Sequence, residues 1–150
     1  NMPAIVGMAR AVEILGEEMD DEVDRLRAYR DRLIGGLLDS VPKTYLNGHP
    51  EQRLASNAHF RFTGIEGESL LLRLRDEGIQ VATGSACSSK TLEPSHTLIA
   101  CGLLHEEAHG SLELTLGRWN GPEDVDRALE AIPKVVSDLR ALSPLYKEDE

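Results

Sequence analysis

Cysteine is scarce in this sequence: Cys87 and Cys101 are the only two among 150 residues. Two thiols are too few for a disulfide framework, so the expected compartment is a reducing one, the cytoplasm. No apolar run approaches the ~20 residues that span a bilayer, and no basic-then-apolar signal segment opens the chain. Basic residues are outnumbered, 16 against 26 acidic, for a formal net charge of -10. That excess repels nucleic acid and anionic membrane surfaces, so neither is an expected partner. Internal repeats and low-complexity stretches are also missing. Asn1 stands before Met2, where a native start puts Met first. The expectation is a fragment or processed form, with part of the working protein elsewhere.

What is present reads as one soluble domain with a real core: 41% of residues are hydrophobic and 28% charged. Residues 1–38 pattern as a long leading helix, possible kink included. Pro3 suits its first turn, and Val12, Leu15, Met19, Val23, Leu26, Leu33 and Leu37 mostly step by three or four. Glu17 to Glu22 precede Arg25, Arg27, Arg30 and Arg32, an order that suits the helix dipole and a solvated face. Pro42 ends this helix. Residues 44–46 and 58–62 read as strands, 66–77 as an amphipathic helix stopped by Gly78, and 79–82 as a strand. Pro94 is expected to open a helix through Cys101. Leu112, Leu114 and Leu116 alternate on a further strand, and Pro122 opens a last helix, kinked at Pro133. Residues 147–150 form a charged tail. The fold class is α/β in the α+β sense: a small, mainly antiparallel sheet with helices on one face and a long leading helix.

Within residues 82–93, the thiol of Cys87 sits among small or hydroxylated residues: Gly84, Ser85, Ala86, Ser88 and Ser89. Nothing in this run could bury a sulfur as a core does, so a solvent-reaching loop with a thiol at its tip is expected. A thiolate is the nucleophilic form; Lys90 would favour it and Glu93 oppose it. Composition alone leaves a reactive and an inert Cys87 equally open. Cys101, in an apolar helix end, reads as a buried structural cysteine. His105-Glu106-Glu107-Ala108-His109 matches the zinc-hydrolase pattern of two His one turn apart with a Glu between. Gly102 and Gly110 leave that helix little length, and only Glu123 or Glu130 offers a third ligand, so no metal site is expected. His96 reads as capping or packing, His49 as loop, His59 as strand, and Trp119 as a core anchor.

The run Gly84 to Ser89, followed by Leu92-Glu93-Pro94-Ser95-His96, resembles the catalytic loop of NifS/IscS-type cysteine desulfurases. The likeness continues through Ala108-His109-Gly110-Ser111, Leu116-Gly117-Arg118 and Leu142 to Tyr146, and upstream through Asn1 to Gly7. It covers nearly the whole chain. The resemblance implies the small C-terminal domain of a homodimeric pyridoxal phosphate enzyme of aminotransferase fold type I. It implies that Cys87 attacks the sulfur of cofactor-bound L-cysteine, releases alanine, and carries a persulfide to an acceptor such as an iron–sulfur scaffold. It also admits Cys87 as an iron–sulfur ligand within a partner complex.

Two positions depart from that pattern. The lysines are Lys43, Lys90, Lys134 and Lys147, and none lies in the family's Ser-x-His-Lys context. The cofactor-binding large domain is therefore expected to be a separate portion, and the chain alone to be inactive. The family's substrate-binding Arg in Ser-Ile-Arg is here Glu113, a carboxylate that would repel a substrate carboxylate. Arg118 lies an odd number of positions away, on the opposite face of a continuous strand. A non-catalytic persulfide relay or cluster-assembly partner is the alternative that Glu113 motivates.

Overall fold

The computed structural model describes residues 1–83 and 93–147. The leading helix α1 runs unbroken over Met2–Ser40, with the Asn1 side chain accepting from Ala4 N–H at 3.2 Å as its cap. Its apolar steps behave differently in its two halves. Leu26, Leu33 and Leu37 are buried, whereas Ile5, Met8, Val12, Leu15 and Met19 are exposed. The helix stops at Val41, ahead of Pro42.

Three strands follow the expected alternation: β1 (Thr44–Leu46), β2 (Asn57–Phe62) and β3 (Ser111–Thr115). They form one antiparallel sheet in the order β1-β2-β3, with Phe60 opposite Leu46 on one side and Leu112 on the other. Ala58, Phe60, Phe62, Leu112 and Leu114 turn to one face, where α1, α2 (Gly67–Asp76) and α5 (Pro122–Leu142) cover them. Leu70 and Leu74 of α2, and Val125, Ile132, Val135 and Val136 of α5, complete this core. Two five-residue helices, α3 (His96–Ala100) and α4 (His105–His109), lie between α2 and β3 in sequence.

Two devices hold the sheet's lower corner. Gly110 lies so close to β2 that a Cβ there would sit 2.5 Å from the Phe62 carbonyl oxygen, and Phe62 N–H donates to Gly110 O at 2.8 Å. The buried Arg140 of α5 donates to Pro42 O at 2.7 Å, Thr63 O at 3.1 Å and Lys43 O at 3.2 Å. One guanidinium fork thus reaches three carbonyls; Lys43 O also accepts from Thr63 N–H at 3.2 Å.

Several expectations need correction. Residues 79–82 form no strand; only Ala82 is paired, as a single antiparallel bridge to Glu113. The helix after Pro94 starts at His96, because Ser95 takes the cap position. Pro133 lies within α5, which is helical on both sides of it. Cys101 is exposed: α3 is one turn long, turns only Leu98 inward, and leaves Cys101 at its open C-terminus before Gly102. Trp119 is 92% exposed and anchors no core.

Phe60 is the centre of the packed face. Replacing it with Ala should lower unfolding stability by about 3–5 kcal/mol, read as a shifted urea midpoint.

Candidate functional site

The face of the sheet opposite the core carries Asn57, His59 and Arg61 of β2, because a strand alternates its side chains. Asn47, buried just after β1, joins them. Arg61 Nη1 donates to Asn47 Oδ1 at 2.9 Å, which leaves Asn47 Nδ2 facing His59 Nδ1 at 2.8 Å. The amide nitrogen is a donor only, so Nδ1 accepts and the neutral ring carries its proton on Nε2. Arg61 also stacks over the Tyr45 ring at 4.6 Å and lies 3.4 Å from Glu107. Burial pushes the His59 pKa down; Glu113, directly opposite on β3, opposes this, and Arg53 adds to it.

Glu113 is fixed from two sides. Its Oε1 accepts from Asn57 Nδ2 at 2.6 Å. Its main chain is bonded to Ala82 in both directions, at 2.7 and 3.2 Å. The chain therefore leaves the sheet towards residues 84–92 from a position locked beside this carboxylate.

A concavity of about 630 Å³ opens at the end of β2. Thr83 and Glu93, the described residues on either side of 84–92, both line it, together with Pro94, Ser95, Arg61 and His109. Among the described residues its ionised groups are unbalanced: Glu66, Glu68, Glu93, Glu106 and Glu107 against Arg61. No lysine lines it. Lys43 lies elsewhere, donating to Lys147 O at 2.6 Å beside the Tyr146 ring. The described part of this wall, with five carboxylates and one arginine, does not fit pyridoxal phosphate, which needs an amine to bond and cations for its phosphate.

The candidates from sequence fall out as follows. Cys87 and its flanking Gly84, Ser85, Ala86, Ser88 and Ser89 lie outside the described residues, as does Lys90. Glu113 stands at the root of that segment. His105 and His109 stack with ring centroids 5.0 Å apart, on a helix of one turn. Among the described residues no group of three His, Cys, Asp or Glu is placed to hold a metal ion, so neither Glu123 nor Glu130 completes the His105–Glu106–His109 set. Arg118 is beyond the end of β3 and pairs with Glu18 of α1. The polar set Asn47, Asn57, His59 and Arg61 was not singled out from sequence. Its signal was the period-2 pattern of β2, which puts three polar residues on the face left uncovered.

Comparison with known proteins places the chain. Residues 1–128 match the family described as Aminotransferase class-V. Cysteine desulfurase IscS 1 of Archaeoglobus fulgidus is 59% identical over 98% of this chain, and cysteine desulfurase IscS of Methanosarcina thermophila is 57% identical over 99%. The chain spans 38% and 37% of these relatives' lengths. A solved NifS-like protein superimposes with a TM-score of 0.79 at 29% identity, over 93% of this chain and 34% of that one.

The lowered His59 pKa has a consequence for stability. On acidification the unfolded chain takes up this proton before the folded one does. Stability should be full above the ordinary histidine value of about 6.5 and fall as pH drops below it. Chemical unfolding at pH 7.5 and pH 5.5 should show this loss, and His59→Gln should reduce it.

Proposed function

The chain belongs to the aminotransferase class-V family, and from that premise we propose that it is the thiol-bearing part of a cysteine desulfurase. Sulfur moves from L-cysteine to Cys87. The Cys87 thiolate attacks the substrate sulfur, an S–S bond forms as the C–S bond breaks, and the carbon fragment, keeping the bonding pair and gaining a proton, leaves as alanine. Cys87 then holds a persulfide for delivery to an acceptor protein in iron–sulfur cluster assembly. Gly84, Ser85, Ala86, Ser88 and Ser89 are the small residues that let the thiol be carried. The observation that supports this reading best is that Thr83 and Glu93, at the two ends of the Cys87 segment, line one concavity.

The proposal divides labour between this chain, as a single small domain, and a larger portion. Pyridoxal phosphate is held by that portion, within a homodimeric cytoplasmic enzyme. A second reading rests on Glu113. Its carboxylate, clamped by Asn57 at 2.6 Å, stands where the family resemblance implies a substrate-binding Arg. Such a domain would accept and relay persulfide without forming alanine itself, and so serve as a cluster-assembly partner.

A chimera separates the two. This chain replaces the matching 149 residues of the Methanosarcina thermophila relative. With L-cysteine, the desulfurase reading expects alanine and the mass of one added sulfur on Cys87, both abolished by Cys87→Ser. Alanine absent from the cofactor-loaded chimera, but restored by Glu113→Arg, would establish the relay reading instead.

A further inference from the structure

Asn47 is buried, and its polar groups are all engaged. Its N–H donates to His59 O at 2.7 Å, and its carbonyl accepts from Arg53 Nη2. These two bonds pin its main chain between β2 and the β1–β2 connection. Its side-chain amide has two claimants, Arg61 Nη1 at 2.9 Å and His59 Nδ1 at 2.8 Å. A guanidinium only donates, so the amide oxygen faces Arg61 and the amide nitrogen faces the ring. That arrangement needs a lone pair on Nδ1. When His59 takes a second proton, both ring nitrogens become donors, and Nδ1–H then points at an NH2 group. The amide's one acceptor, Oδ1, is turned to Arg61.

Arg61 has a second partner at hand. Its Nε is buried without a hydrogen-bond acceptor, yet it stands 3.4 Å from Glu107 Oε1 of α4. Its guanidinium lies over the Tyr45 ring at 4.6 Å, a contact that a small rotation of the side chain preserves. Arg61 and Glu107 both line the concavity that Thr83 and Glu93 also line. An Arg61 released by Asn47 therefore has a charge-assisted hydrogen bond to gain on that wall.

We propose that Asn47 is a two-position relay: its amide oxygen holds Arg61 while His59 is neutral, and turns to the ring when His59 is protonated, handing Arg61 to Glu107. The movement is a half-turn about the terminal torsion of Asn, which is broad and two-fold, and it leaves the pinned main chain in place. The charged groups around His59 set where the exchange happens. Glu113, opposite on β3, favours the proton; burial and Arg53 of the β1–β2 connection disfavour it. Arg61, next on the same face of β2, is a further cation, and Tyr45 of β1 and Glu107 of α4 are in contact with it. With burial the largest of these effects, the exchange falls below the ordinary histidine value of about 6.5. Acidity is thereby coupled to the arrangement of charge on the wall beside Thr83 and Glu93.

Nitrogen-15 NMR of the full chain, titrated from pH 7.5 to about 5, tests the relay, with backbone amide signals reporting that the fold persists at each step. At pH 7.5 the His59 ring should carry its proton on Nε2. On acidification the Asn47 NH2 and Arg61 side-chain N–H signals should shift with the midpoint of the ring. In His59→Gln they should stay flat over this range, which separates His59 from His109, an imidazole on the concavity wall. Asn47→Asp puts an acceptor at both positions, so ring and guanidinium are served together. The His59 midpoint should then rise by about one pH unit or more, and Arg61 should lose its response. A ring protonated on Nδ1 at pH 7.5, or Arg61 signals that stay still while His59 titrates, would overturn the proposal. So would an Arg61 response that persists in His59→Gln, or a His59 midpoint left unchanged by Asn47→Asp.

Discussion

The alternation of β2 is the constraint on which the rest of the structure depends. It is the middle strand, so both its edges are committed to hydrogen bonds with β1 and β3. Its side chains can then only divide between two faces. Ala58, Phe60 and Phe62 go to the helices, and Asn57, His59 and Arg61 go to the open side. A shift of one residue would bury an arginine and expose two phenylalanines, so the register is strongly specified. The polar face inherits its order from this. Because Glu113 stands opposite His59 and beside Asn57, and because Ala82 is bonded to Glu113, the root of the Cys87 segment is placed by the sheet register itself.

So small a sheet leaves much irregular backbone, and three arginines deal with it. Arg140 satisfies carbonyls at both sides of the β1–β2 corner, Arg25 those of the turn at 117–121, and the buried Arg30 donates to Leu54 O at 3.1 Å on the long β1–β2 connection. A net hydrogen bond to a charged donor is worth about 1.5–3 kcal/mol, so each fork ties irregular backbone to a helix. Burial lowers the Arg140 pKa, yet a guanidinium starts so high that its charge is retained. Basic residues that a sequence presents as solvated surface are thus partly internal fasteners. The acidic excess of the chain is correspondingly more visible on its surface.

How much of this was legible in the sequence follows from which signals are local. The long α1, the β2 alternation, the Leu112/Leu114 strand and the Pro122 start of α5 depend on period and punctuation, and they stand as read. The misreadings have one cause. Trp119 and Cys101 were placed inside because they are apolar residue types, but the turn holding Trp119 is pinned by arginine bonds from residues ninety or more positions away. No local pattern encodes that. Likewise the apolar steps of α1 show that a face will be covered, and are silent on whether this domain covers it. Residues 79–82 looked like a strand because they are apolar, but only Ala82 finds a pairing partner there.

The fixed ends of the Cys87 segment limit where its chemistry can happen. Cys87 is four residues from Thr83, and an extended chain advances at most about 3.6 Å per residue, so its Cα stays within about 14 Å of Thr83. In the proposed reaction the sulfur donor and acceptor both have to approach that region, and Thr83 lies on the wall of the glutamate-lined concavity. Among the described residues, whatever enters meets five carboxylates and one arginine already engaged with Glu107 and Asn47. An anionic substrate or a phosphate gains nothing from that wall, whereas a surface bearing lysine or arginine does. By charge, the described wall of the concavity favours a cationic surface over an anionic group.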